Sequence, residues 1–209
     1  MRIKDIKRLF VTGNGTEVGK TVVSAILAQA LEADYWKPIQ AGNEEDSDSI
    51  IVSRLVSNKN SEVHPEAYLL PDPISPHAAA ERAGIEITFE GLLLPETNNL
   101  LIIEGAGGIL TPINRRSTMR ELAIHFDAPV VVVSSHYLGS INHTLMTIEA
   151  LQFKNVPILG VIFVGDPEPE SETAIISMSG VKMLGRVAWE DGITPVIVAQ
   201  YARLFREVL

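Results

Sequence analysis

Cysteine is missing from all 209 residues, so neither a disulfide nor a thiolate metal site is open to this chain. Any metal has to be held by oxygen or histidine. Missing too is any window approaching the roughly 18 uncharged apolar residues that span a bilayer, and the opening MRIKDIKRLFV has neither the apolar core nor the small-residue cleavage site of a secretory signal. Positive charge is in short supply: 17 Lys and Arg stand against 26 Asp and Glu, a formal net charge of -9. Nucleic acid and anionic membrane both call for clustered Lys and Arg, so neither is expected as a partner. The expectation is a cytoplasmic protein acting on small molecules.

What is present is ordinary globular material, 46% hydrophobic and 21% charged, and a length that suits one α/β domain over residues 1–209. Short β-rich runs fall at 9–12, 34–37, 100–104, 129–134, 158–164 and 182–187. Helical stretches fall between and after them at 20–33, 47–56, 76–83, 118–126, 140–153, 170–179 and 194–208. LLIIEGAGG and APVVVVSS do not alternate in polarity, so these strands are expected to be covered on both faces. The pattern predicts a mostly parallel central sheet with helices on both faces. Ligands collect at the carboxyl ends of such strands, and Lys20, Lys37, Glu104 and Ser134 all follow strands or close them.

The stretch FVTGNGTEVGKT at 10–21 has the parts of a P-loop: a strand, a glycine-rich turn whose N–H groups can cradle phosphates, and Gly19-Lys20-Thr21 opening a helix. In such loops the lysine neutralises phosphate charge and the Ser/Thr reaches Mg²⁺. The spacing is one residue longer than the common pattern, because position 14 is Asn and the glycine stands at 13. Further along, Lys37 precedes Pro38, which is a poor continuation of a central strand and so places the lysine at a strand end. Glu104 closes an apolar run before Gly105-Ala106-Gly107-Gly108, where a carboxylate is costly to bury unless paired or metal-bound. Glu44, Glu45 and Asp46 read as a solvated acidic loop. Ser140 is a candidate N-cap, His143 a structural residue, and Trp36 and Trp189 packing residues. His77 and His125 lack partners at ligand spacing and are not assigned to a metal.

TGNGTEVGKT resembles the extended phosphate loop of the dethiobiotin synthetase family, and KPIQAG at 37–42, SDS at 47–49, SPHAAAE at 75–81, IEGAGGILTPI at 103–113 and LGSINHTLMTIEAL at 138–151 follow in that family's order. The resemblance implies a P-loop NTPase fold and an ATP- and Mg²⁺-dependent cyclo-ligase. Its members close the ureido ring of dethiobiotin from 7,8-diaminononanoate, CO₂ and ATP. It implies Lys20 and Lys37 as catalytic and Thr21, Asp48 and Glu104 as Mg²⁺ ligands. For nucleotide binding it adds Thr16, Glu17, Val18, Gly19, Val22, Gly105, Ala106, Gly107, Val164, Gly165, Val187, Ala188 and Trp189. Thr16, Lys37, Ala41 and Gly107 would touch the diamine, with Asn142 reaching it across a homodimer interface, and His77 would lie near it.

Three positions depart from the family pattern. Gly15 stands where the loop has Asp, Ala41 where a hydroxyl residue is common, and Val164 where many members have an adenine-reading Asn, which relaxes the expected preference for ATP. Other readings of the same loop are a cobyrinate-type synthase, which carries a glutaminase domain for which 209 residues leave no room, and a partitioning-type regulatory ATPase, which has an additional lysine early in the loop. A nucleotide-binding module without catalysis is the third.

Overall fold

The computed structural model describes residues 3–42, 45 and 47–209. The chain runs β1 (Arg8–Gly13), α1 (Lys20–Leu31), β2 (Asp34–Trp36), β3 (Ile39–Ala41), α2 (Asp48–Leu55), β4 (Val63–His64), β5 (Tyr68–Leu70) and α3 (Pro76–Arg82). It continues through β6 (Leu101–Gly108), α4 (Met119–His125), β7 (Val130–Ser135), α5 (Ser140–Gln152), β8 (Ile158–Val164), α6 (Pro169–Ser179), β9 (Met183–Val187) and α7 (Pro195–Arg206). Seven strands form one sheet in the order β4-β2-β6-β1-β7-β8-β9, and every pair is parallel. All six strands anticipated from the sequence lie in it. β3 and β5 form a separate parallel pair.

The non-alternating apolar runs have the expected cause. Along β1, Leu9 and Val11 face a core shared with α1, α2 and α7, while Phe10 between them faces a core shared with α3, α4, α5 and α6. Val130 to Val133 divide the same way. Each large apolar side chain buried at such a position contributes about 1.5–3 kcal/mol, so both faces must stay covered.

Local chemistry sets the helix ends. Ser47 caps α2 by accepting from Ile50 N, Thr118 and Glu121 form a capping box on α4, and Thr194 caps α7 ahead of Pro195. Ser140 does not cap α5: Gly139, at φ 101°, occupies the cap and Ser140 is the first helical residue. Glu104 is not the last residue of its strand, because β6 continues to Gly108.

β1 lies in the middle of the sheet, with successive connections leading toward β4 on one side and β9 on the other. A crevice opens above the carboxyl end of a strand placed like this. The loop after β1 therefore sits at the natural ligand position of the fold.

Candidate active site

The loop from Gly13 to Gly19 folds over the end of β1 and turns straight into α1. Gly19 holds φ 90° immediately before Lys20, and a side chain there would press on Val164 at 3.1 Å. Val18 is buried, and a Cβ at Gly13 would meet its side chain at 2.5 Å, so what Val18 can offer a phosphate is backbone. Lys20 is buried with its Nζ donating to the carbonyl of Gly15 at 2.9 Å. The loop is thus closed on its own lysine.

Lys20, Thr21, Lys37, Asp48 and Glu104 line one cleft of about 730 Å³. Thr21 Oγ1 lies 2.7 Å from Asp48 Oδ1 and 3.1 Å from Glu104 Oε1, and the Tyr35 hydroxyl donates to Glu104 Oε2 at 3.0 Å. Lys37 Nζ contacts Asp48 and, at 3.2 Å, Glu104. The two lysines respond differently to this setting. Burial pushes Lys20 down from 10.5 to about 8, with the charge of Lys37 adding to the effect and Glu104 and Asp48 opposing it. Burial also disfavours charge on Lys37, but the adjacent Glu104 and Asp48 outweigh it and raise its pKa. Asp48 is held below the ordinary carboxylate value: burial pushes it up, and the charge and hydrogen bond of Lys37 together with the Thr21 hydroxyl overcome that push.

The donor set fits a hard divalent cation. One hydroxyl and two carboxylates converge within hydrogen-bonding distance, all oxygen, and the carboxylates already hold a cationic group between them.

Thr16, Glu17, Gly19, Val22, Ala41, Ala106 and Gly107 line the same cleft. Gly107 has φ 67°, and a Cβ there would strike Thr111 Oγ1 at 2.6 Å, so the close approach of this strand needs glycine. Gly105 does not line the cleft; it packs over the ring of Phe10. Val164, Gly165, Val187, Ala188 and Trp189 gather at a second place beside the loop. Val164 is buried under Gly19, Gly165 N donates to Val187 O at 2.8 Å, and a Cβ on Gly165 would meet Trp189 Nε1 at 2.8 Å. Trp189 is 63% exposed, so it is a surface ring and not the packing residue its type suggested, whereas Trp36 is buried as expected.

A family model described as an AAA domain matches residues 7–196. The chain is 51% identical over 203 residues to the ATP-dependent dethiobiotin synthetase BioD of Christiangramia forsetii, covering 97% of this chain and 98% of that one. The chain belongs to the dethiobiotin synthetase family. The BioD of Cytophaga hutchinsonii is 48% identical over 94% of this chain and 96% of its own. Among solved structures, a plasmid partition protein of Borrelia burgdorferi bound to AMPPNP aligns with TM-score 0.59 at 13% identity, covering 97% of this chain and 96% of that one. The cell division ATPase MinD of Pyrococcus furiosus aligns with TM-score 0.58, also at 13%, covering 98% and 100%. These two share the fold, and the likeness carries nothing further.

Within the synthetase family pattern, some residues lie apart from the cleft. Asn142 is exposed on α5, donating to Met146 Sδ. His77 lines a different hollow with Asn114 and Arg115, and its Nδ1 pairs with Ser75 Oγ. His143 is also exposed, paired with the Tyr137 hydroxyl at 2.9 Å. Glu45 is exposed, and Glu44 and Asp46 lie outside the described residues.

Gln40, Pro73, Ile74 and Thr111 were not singled out beforehand, whereas Ser75 and Pro76 open SPHAAAE, the segment expected near the diamine. The ion cluster beneath Gly165 was not anticipated either. There Glu172 Oε1 takes an ion pair from Arg186 and a 3.0 Å contact from His136 Nε2, while Arg186 Nη1 donates to the carbonyls of Gly165 and Asp166. Gln40 did stand inside KPIQAG, but Glu172, Arg186 and His136 come from three separate segments and share no local pattern.

Proposed function

We propose that this cleft closes the ureido ring of dethiobiotin from 7,8-diaminononanoate, CO₂ and ATP. What carries the reading is the convergence of Lys20, Lys37, Thr21, Asp48 and Glu104 at the head of α1. Phosphoryl transfer asks little covalent chemistry of a protein and much positioning and positive charge, which is what these groups supply.

A substrate nitrogen adds to the carbon of CO₂ and loses a proton, giving a carbamate. A carbamate oxygen then attacks the γ-phosphorus of ATP and ADP leaves. The second nitrogen attacks the carbonyl carbon of the resulting mixed anhydride, phosphate departs, and the ring closes as a cyclic urea. The first two steps set anionic oxygens against each other, a strong repulsion in a low-dielectric cleft. Lys20 meets it from the loop and Lys37 from the end of β2, with the backbone N–H groups at the start of α1 facing the phosphates. Thr21, Asp48 and Glu104 would hold Mg²⁺, which would supply charge neutralisation of the triphosphate.

We further propose that Gly165, Val187, Ala188 and Trp189 receive the nucleobase. The same reading holds that the chain acts as one domain, in the cytoplasm, as a homodimer with Asn142 at the interface. Incubation of the purified protein with diaminononanoate, bicarbonate, Mg²⁺ and ATP is expected to yield the cyclic urea by mass spectrometry. No such product with any nucleoside triphosphate would overturn the reading.

A further inference from the structure

Glu104 is buried inside β6, and its two carboxylate oxygens keep different company. Oε1 faces Thr21 Oγ1 at 3.1 Å and Lys37 Nζ at 3.2 Å, while Oε2 accepts from the Tyr35 hydroxyl at 3.0 Å. The register of the sheet explains the last contact. Tyr35 on β2 pairs with Ile102 on β6, and residues two apart on a strand share a face. Tyr35 and Glu104 therefore stand diagonally across neighbouring strands on the face that α1 covers, a span within reach of an aromatic side chain.

The three contacts differ in what they can fix. Thr21 has one hydroxyl hydrogen and lies within reach of both Asp48 Oδ1 and Glu104 Oε1, so it donates to only one of them at a time. Lys37 is likewise shared between the two carboxylates. Both contacts fall on the oxygen that faces the cleft groups, where an arriving cation competes for the same lone pairs. The phenol holds the other oxygen. Tyr35 is fully buried and is not among the residues lining the cleft, so its bond to Oε2 stays clear of that competition. Its ring belongs to an apolar core in which phenylalanine would pack as well, and the hydroxyl is what tyrosine adds there.

We propose that Tyr35 is a positioning residue for the divalent cation: by holding Glu104 Oε2 it fixes the plane of the carboxylate and leaves Oε1 as the one oxygen presented to the ion. This rests on the reading of Thr21, Asp48 and Glu104 as the Mg²⁺ ligands. Partners that orient a metal ligand from outside commonly govern metal affinity by about 10–100-fold. The arrangement also discriminates between ions. Mg²⁺ demands near-octahedral geometry, whereas the larger Ca²⁺ tolerates irregular geometry and takes both oxygens of a carboxylate. A carboxylate held by one oxygen favours the smaller ion.

The test measures the affinity of the purified protein for a non-hydrolysable ATP analogue in EDTA, in Mg²⁺ and in Ca²⁺. Tyr35→Phe keeps the ring and removes the hydroxyl. It is expected to leave the affinity in EDTA unchanged, to weaken that in Mg²⁺ about tenfold and to weaken that in Ca²⁺ less, because the freed carboxylate can turn both oxygens to the larger ion. A tyrosine that only supported the core would lower all three alike. Equal losses in the three conditions, or none in Mg²⁺, would overturn the proposal. In a Glu104→Gln background the same replacement is expected to cost nothing further, and an undiminished extra loss would show that Tyr35 does not act through Glu104. Should Tyr35→Phe fail to fold, fluorine NMR of the wild type carrying 3-fluorotyrosine, with the other three tyrosines assigned by their own Phe variants, is expected to show the Tyr35 signal moving as Mg²⁺ is added to the analogue complex; a signal that stays in place counts against the contact. A wild type that binds the analogue equally in EDTA and in Mg²⁺ overturns the underlying reading of the cation site, a failure distinct from a Tyr35→Phe variant that matches a metal-dependent wild type.

Discussion

Lys37 shows what a single side chain does in two settings. Its neighbours are the buried carboxylate of Glu104 and the partly buried one of Asp48, and removing one member of a buried ion pair costs about 3–5 kcal/mol because the other charge is left uncompensated. Lys37→Ala is therefore expected to lower the melting temperature in EDTA and to regain most of it in millimolar Mg²⁺, since both cations answer to Asp48 and Glu104. Nucleotide binding should survive in Lys37→Ala while product formation falls by orders of magnitude. Thermal melts with and without metal, read beside a product assay, check both statements; a variant equally stable in the two buffers would count against the shared site. At this scale the sequence was informative where a residue type is tied to a motif, as with Lys20 and Thr21. It was silent on Arg186, Glu172 and His136, because an ion cluster assembled from three separate segments leaves no local pattern to read.

Between residue and molecule stand the elements, and two of their junctions can be tested. Arg186 on β9 ties down the carbonyls that follow β8, the segment that would carry the nucleobase. Arg186→Met is expected to weaken ATP several-fold while leaving inorganic tripolyphosphate unaffected, measured by competition; equal losses would assign Arg186 to general stability. At the other end of the sheet, Asp34 on β2 accepts from Asn99, Thr97, Glu62 N and His64. Burial pushes its pKa up, but these bonds outweigh it and hold the carboxyl below the ordinary 3.8. The native state thus favours the ionised form. That stabilisation is complete above pH 3.8 and is lost as pH falls from there through the lower folded value. Asp34→Asn is expected to cost about 1–3 kcal/mol at neutral pH, with a shallower acid limb than wild type in denaturant melts followed from pH 6 to 2.

The elements missed from sequence share a physical cause. β3, β4 and β5 are two or three residues long, too short for any periodicity to register. The five strands of five residues or more, β1, β6, β7, β8 and β9, were legible because burial on both faces demands long, largely apolar runs; β2, at Asp34–Trp36, is as short as β3 and β5 and was legible nonetheless. The end of β6 was misjudged at Glu104 because a carboxylate inside a central strand is rare without partners, and Tyr35, Thr21 and Lys37 supply them.

For the whole molecule, the feature that bears on assembly is the apolar surface on and beside α5. Leu138, Met146 and Phe153 are exposed there, with Tyr137 and Leu110 exposed as well, and apolar surface of this kind marks interaction sites. If it joins two copies, sedimentation is expected to give about twice 22.8 kDa. Met146→Glu is then expected to sediment as a monomer and, with Asn142 no longer delivered to the neighbouring cleft, to lose turnover. A monomeric wild type would discard this arrangement.

The central position of β1 has a consequence for biosynthesis. Its two hydrogen-bonded neighbours, β6 and β7, end at Gly108 and Ser135, so the strand beneath the phosphate loop remains unpaired while the first half of the polypeptide emerges from the ribosome. Long-range pairing of this sort is slow and leaves apolar edges bare in the interim. A nascent chain stalled before residue 135 should be unable to retain ATP and should depend on chaperones, and the seat for the triphosphate is complete only once Val164 beneath Gly19 and the α7 cover of α1 have emerged as well.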